Sequence, residues 1–284
     1  MEKQNNSNRF VYRGAKSIRL GKFLFDALPG LKFSSFKRML SDGRITVDSK
    51  RVKKDVLIPP GAEVGIYSDA GVPSFSVRTV YEDDNILIAV KPRGTETKNF
   101  SALASESKGV SLTPVHRLDT NTGGLLMLAK SAEALAAATE IFRFGLIEKY
   151  YYALLAGKVE KEGVFNAFLK KDAEKGIVDI SPTSKKGYAP IKTGIRPVEY
   201  RDDGALTLCE IRLYTGKTHQ IRAHTAFLGH PVLGDTKYGD FTLNRAARAK
   251  RQYLASCRLV FGRIPKNNKL SYLSGKKFEI SPDF

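Results

Sequence analysis

Between Pro114 and Lys130 the chain reads Pro-Val-His-Arg-Leu-Asp-Thr-Asn-Thr-Gly-Gly-Leu-Leu-Met-Leu-Ala-Lys. His116, Arg117 and Asp119 can each carry charge or a proton, and a Thr-Gly-Gly turn and an apolar run follow them. Such an order puts polar side chains on a loop whose downstream end is anchored in a core, where reactive groups tend to sit. A side-chain carboxylate can act as a nucleophile or a base, so Asp119 is a candidate for either role. An aspartate beside Thr120 and Asn121 also suits an Asx-turn or a cap, and taken alone the run favours that blander role.

A second polar stretch, Thr215 to Asp235, invites other chemistries that its spacing rejects. Gly216-Lys217-Thr218 imitates the end of a phosphate-binding P-loop, but the first glycine of that motif falls on Ile211. His219 and His224 are five apart rather than the four of a zinc-protease helix, and no Glu follows His219, so no metal is expected. A glycosidase needs a second carboxylate opposite Asp119. Asp235 and Asp240 are available, yet no spacing selects either, and Asp235 reads as a loop anchor.

The elements that must position these residues fall into two parts. Before residue 70, apolar spacing predicts helices around Leu20–Leu28 and around Phe36, Met39 and Leu40, the latter with Ser34 or Ser35 as cap. A hairpin turning at Asp48-Ser49 and a strand at Val64–Tyr67 complete a small α+β module over 1–70. Residues 71–78 read as a linker and 79–284 as a second domain. There, strands are expected at Ile86–Val90, Leu125–Leu128, Tyr150–Leu155, Leu206–Leu213 and Cys257–Phe261. Helices are expected at Ser131–Phe142 and Thr218–Leu228, with Ser131 and Thr218 as caps. Many strands with few helices predict an α+β fold with a mainly antiparallel, mixed sheet.

Charge narrows the partner. The 284 residues carry 47 Lys and Arg against 29 Asp and Glu, a formal charge of +18, which suits a polyanion such as nucleic acid. Residues 1–70 hold 14 Lys and Arg against 7 Asp and Glu. Lys37, Arg38, Arg44, Lys50 and Arg51 flank the second helix and the hairpin, where one face could follow a phosphate backbone; a solvated face explains them equally well. No apolar run approaches the roughly 18 residues of a membrane span, and the start Met1–Arg9 is polar, so a cytoplasmic chain without membrane contact is expected. Cys209 and Cys257 read as buried free thiols.

Four ordered blocks resemble the RluA family of pseudouridine synthases: Tyr81–Pro92, the His-Arg-Leu-Asp stretch, Glu148–Gly157 and Thr215–Asp235. The N-terminal module resembles the alpha-L RNA-binding motif. This resemblance implies that Asp119 is the catalytic aspartate and that Arg117 takes the place of the target base in the stack. It implies that Tyr151 packs on the uracil, that Ile221 lines the pocket, and that Arg222 pairs with the aspartate, a cation near a carboxylate favouring its charged form. It further implies RNA as substrate, ribosomal before transfer RNA, and a monomer acting without a cofactor. Gly123 replaces the family's usual serine and should loosen the turn. Three consecutive tyrosines, 150 to 152, make the choice of ring depend on register. The rival reading is a non-catalytic RNA-binding protein of ribosome assembly with the same fold.

Overall fold

The computed structural model describes residues 7–28, 31, 33–67, 76–172, 174 and 176–284. The expected linker lies outside these at 71–75, as does the polar start before residue 7.

In chain order the elements are β1 (Ser7–Val11), β2 (Ile18–Arg19), α1 (Leu20–Ala27), α2 (Phe33–Ser41), β3 (Ile45–Val47), β4 (Lys50–Val52), β5 (Leu57–Ile58) and β6 (Glu63–Tyr67). They continue with β7 (Thr79–Glu82), β8 (Ile86–Lys91), α3 (Thr97–Lys108), β9 (Thr113–Pro114), β10 (Gly123–Ala129), α4 (Ala132–Arg143), β11 (Ile147–Ala156), β12 (Gly163–Asp172), β13 (Ile177–Ser181) and β14 (Ala189–Arg201). Last come β15 (Leu206–Leu213), α5 (Gln220–Phe227), α6 (Phe241–Ala246), β16 (Leu254–Phe261) and β17 (Lys277–Glu279). They form two compact units, the first taking β1 to β6, α1, α2 and residues 98–110, the second the remainder from residue 78.

In the first unit an antiparallel sheet runs β1-β6-β3-β4. Helix α1 buries Leu20, Phe23, Leu24 and Ala27, an i, i+3, i+4, i+7 stripe, against a core that includes Ile45, Val64 and Ile66. Phe36 and Leu40 of α2 enter the same core, and Leu103 of α3 packs on it. Asp48 and Ser49 both have positive φ, 49° and 65°, as a two-residue hairpin turn matched to strand twist requires. The Asp48 carboxylate accepts from the Glu63 N–H at 2.9 Å, which fastens the turn to β6. Ser34 and Ser35 lie inside α2, so neither is its cap.

In the second unit the main sheet runs β13-β12-β14-β15-β11-β16-β10-β8-β7, with β17 on β16 and β9 on β10. Its pairs are antiparallel except β10 with β16. Helix α4 begins where predicted, the Ser131 hydroxyl accepting from the Ala134 N–H at 3.1 Å. It sets Ala138 and Ile141 on Ile86, Ile88, Leu125 and Met127. Helix α5 sets Ala223 on Ala167, Leu169, Val178 and Ile191.

All seven residues of β10 are buried. Gly124 has φ +106°, and a Cβ there would stand 2.0 Å from the Ser256 carbonyl oxygen, so the parallel approach of β10 to β16 requires glycine. Gly123 opens this strand rather than loosening a turn, and its missing side chain makes room for Arg93, whose Cγ would be 3.1 Å from a Cβ. Cys209 and Cys257 are free and buried, and burial pushes each thiol up to about 12. Among the described residues no helix is long and apolar enough to cross a membrane.

Candidate active site

The loop carrying Asp119 is bolted from several sides. The Thr97 hydroxyl donates to the Leu118 carbonyl at 3.0 Å and accepts from the Leu118 N–H at 3.1 Å. Thr120 offers its carbonyl to the Gly94 N–H at 2.8 Å and to the Lys91 ammonium at 3.2 Å. The Thr122 N–H closes a backbone turn onto the Asp119 carbonyl at 3.0 Å, and its hydroxyl accepts from the Gln252 amide at 3.0 Å. Backbone and neighbours therefore make the turn, and the Asp119 carboxylate is turned elsewhere.

It meets Arg222. That guanidinium is buried and addresses two carboxylates: Nε and Nη2 donate to Asp235 at 2.6 and 2.9 Å, and Nη1 donates to Asp119 at 3.1 Å. Side-chain exposures are 18% for Asp119, 6% for Arg222 and 0% for Asp235. Asp235 also accepts from the N–H groups of Lys237 and Tyr238 at 2.8 and 3.1 Å. Burial opposes ionisation of Asp235, but the hydrogen bonds and charge of Arg222 outweigh it and hold the carboxyl below its usual value. A planar fork held along one edge by Asp235 fixes Nη1 against Asp119.

His219 flanks the pair. It precedes α5 with φ 54°, a left-handed residue where Thr218 was expected as cap. The Tyr238 hydroxyl accepts from the Val178 N–H at 2.7 Å and is hydrogen-bonded to His219 Nδ1 at 2.9 Å. The other ring nitrogen, Nε2, stands 3.9 Å from Asp119 Oδ2. Burial lowers the imidazole's pKa and favours the neutral ring.

Arg117, Asp119, Tyr151, Ile221 and Arg222 line one pocket of about 540 Å³, together with His116, Arg143, Lys149, Lys217 and His219. That volume suits a nucleotide-sized ligand. Arg117 is exposed, whereas Ile221 and Tyr151 are buried. Register selects Tyr151 among the three rings: it pairs with Ile211 on one side and Ser256 on the other, while Tyr150 and Tyr152 remain partly exposed. Burial first, and then the Asp119 charge, pushes the Tyr151 phenol well above its ordinary value.

Lys37, Arg38, Arg44, Lys50 and Arg51 belong to the first unit and take no part in this pocket. Lys50 and Arg51 are exposed on β4, Lys37 and Arg38 on α2, and half-buried Arg44 lies 3.4 Å from Asp42.

Two partners escape a reading by motif. Asp235 grips Arg222 rather than merely anchoring its loop, Asp240 caps α6 by accepting from the Leu243 N–H at 2.9 Å, and neither lines the pocket with Asp119. Lys91 is fully buried beneath the Asp119 loop, its three N–H bonds going to the carbonyls of Pro92, Thr95 and Thr120. Burial lowers its pKa to about 7 against the opposing attraction of Asp119. Among the described residues no three His, Cys, Asp or Glu side chains gather to hold a metal ion.

Residues 79–227 match the family model described as RNA pseudouridylate synthase. The chain is 34% identical over 248 residues to ribosomal large subunit pseudouridine synthase C of Vibrio cholerae, covering 78% of this chain and 77% of the relative. The protein of the same name from Escherichia coli is 33% identical over 256 residues, covering 80% and 78%. Human RNA pseudouridylate synthase domain containing 1 shares the fold, with a TM-score of 0.59 at 23% identity over 75% of this chain and 94% of that one. The chain belongs to the RNA pseudouridylate synthase family, as an isomerase of the RluA type.

Proposed function

We propose that the protein isomerises uridine to pseudouridine in ribosomal RNA of the large subunit, with Asp119 as its catalytic residue. The observation that supports this most is that Arg117, Asp119, Tyr151, Ile221 and Arg222, from three separated sequence blocks, line one pocket in which Arg222 donates to Asp119. The relatives named for the large ribosomal subunit support the substrate.

In the reaction the N1–C1′ bond breaks, the uracil turns, and C5 bonds to C1′. The C5 hydrogen leaves as a proton and N1 gains one, so no electrons are exchanged and no cofactor is needed. Attack of Asp119 on C1′ and removal of a sugar proton by it both begin at one ionised carboxylate, which Arg222 orients. Extruding the base costs a few kcal/mol, which Arg117 in the vacated stack and phosphate contacts offset. Tyr151, its phenol kept protonated, packs on the uracil, and Ile221 supplies an apolar wall. Residues 1–70 serve as an alpha-L RNA-binding module, with Lys37, Arg38, Arg44, Lys50 and Arg51 on phosphates, 71–78 as linker and 79–284 as catalytic domain. The protein works as a cytoplasmic monomer.

Ribosomal and transfer RNA labelled with tritium at uracil C5 test the reading. Large-subunit RNA should release tritium, Asp119→Asn should lower the rate by about a thousandfold or more in a protein that is still folded, and Lys50→Gln with Arg51→Gln should weaken binding and flatten its salt dependence. Release from transfer RNA alone would move the substrate; full activity in Asp119→Asn would remove the carboxylate from the chemistry.

A further inference from the structure

Lys149 stands between Glu148 and Tyr150 on β11, and with Tyr151 it lines the pocket while those two neighbours take the back of the sheet. On the back, charge is matched: Glu148 accepts from Tyr150 and Arg212, and Arg258 donates to Glu210 and Glu279. On the pocket side the cross-strand neighbours of Lys149 are Leu213 and Leu259. Its ammonium sits beside Gly216, where a Cβ would stand 3.3 Å from Nζ.

Among the described residues no carboxylate lies within ion-pair distance of Lys149 and no acceptor within hydrogen-bond distance. Burial without a countercharge pulls its ammonium below the usual lysine value. His116 beside it adds no anion: its Nε2 accepts from the Met127 N–H at 3.1 Å, and burial, then the Lys149 charge, pushes its pKa down to about 4. Arg117, Arg143 and Lys217 line the same pocket, against the single carboxylate of Asp119, which Arg222 already holds. An unpaired, half-buried cation is costly, and that cost falls when a ligand brings the anion. Uracil is neutral at pH 7; the phosphates on either side of it are not.

We propose that Lys149 and the Gly216–Lys217 turn form a subsite for a backbone phosphate flanking the target uridine. The inference rests on reading the pocket as the seat of an RNA isomerase. Its test is the binding of a dodecauridylate strand to the full chain across salt concentrations, for the wild type, Lys149→Met, Lys149→Gln and Lys149→Arg. Either neutral variant should weaken binding roughly fivefold at low salt and reduce the slope of log K against log salt by about 0.7, the contribution of one phosphate on a single strand. Lys149→Arg should keep the wild-type slope. With C5-labelled large-subunit RNA, the loss should fall on KM more than on kcat. An unchanged slope in a folded neutral variant overturns the subsite whether or not tritium is released. A reduced slope without tritium release from any RNA supports the subsite as an RNA contact and overturns the isomerase reading instead.

Discussion

Strands β11, β15 and β16 separate two charged regions built on opposite rules. Behind the sheet, Arg196, Arg212 and Arg258 meet Glu148, Glu210 and Glu279, and most of these side chains are a fifth to a half exposed. In front, Arg222 is buried between Asp119 and Asp235, and Arg117, Arg143, Lys149 and Lys217 surround the same cavity. The back closes on itself and leaves little net field. The front holds one carboxylate in a fixed place and keeps positive charge facing outward, as a site for an anionic strand requires. Equal chemistry at unequal burial should therefore give unequal consequences.

The largest difference is expected at Asp235. Asp235→Asn leaves the Arg222 guanidinium buried with half its partners neutralised, and breaking such a pair costs about 3–5 kcal/mol. Urea unfolding should show that loss, and tritium release should fall because Arg222 is no longer aimed at Asp119. Replacing both partners, Arg222→Met with Asp235→Leu, should restore much of the stability and none of the activity. Activity in that double variant would mean that the buried pair supports the fold alone.

Acid should sharpen the contrast next. His224 on α5 is fully buried with Nδ1 against the Thr193 hydroxyl at 3.0 Å, and burial pushes its imidazole down to about 4. In the unfolded chain it titrates near 6.5. Between those values the unfolded chain holds a proton that the folded chain does not. Stability from this group is thus complete above about pH 6.5 and falls as pH drops toward 4, by at most about 3 kcal/mol at 1.36 kcal/mol per unit. Unfolding measured from pH 7.5 to 4.5 should be flatter by that amount in His224→Leu. Equal slopes would place the acid sensitivity in another group.

These residues also mark how far the sequence could be read. Asp119, Tyr151, Ile221 and Arg222 stand in short runs whose residue types are tied to their chemistry, and the apolar runs of β8, β10 and β15 announce buried strands. Asp235 was visible, but its grip on Arg222 depends on how the chain returns after α5. The role of Lys91 depends on three carbonyls from the chain on either side of it, which no local pattern records. The expectations omit strands β12, β13 and β14: Lys170-Lys171 interrupts the alternation of β12, β13 is a short strand at the sheet edge, and Pro190 and Pro197 fall within β14. Helix α3 carries little sequence signal because its small and polar residues, Thr97-Lys-Asn-Phe-Ser-Ala-Leu-Ala-Ser-Glu-Ser-Lys108, make a shallow stripe.

A smaller effect is expected at His219, whose Nε2 lies 3.9 Å from Asp119, beyond a formed hydrogen bond. His219→Asn tolerates the left-handed backbone and removes the imidazole from beside Asp119. The kcat for tritium release should fall about tenfold, equal to roughly 1.4 kcal/mol, with stability unchanged. A loss confined to stability would make the ring a spacer between Tyr238 and α5.

The smallest effect belongs behind the sheet. Arg212 lies over the rings of Tyr150 and Tyr214 at 5.7 and 4.5 Å and pairs with Glu148, each partner of that pair being about a third exposed. Water screens such a pair, and holding two long side chains in register costs entropy, so exposed pairs contribute about 0–1 kcal/mol. Arg212→Met keeps the stem that covers the rings and removes only the charge. It should shift the urea midpoint by less than about 1 kcal/mol and leave tritium release at the wild-type rate. A loss comparable to that of Asp235→Asn would show that the two faces are electrostatically coupled through the sheet, and burial would no longer account for their difference.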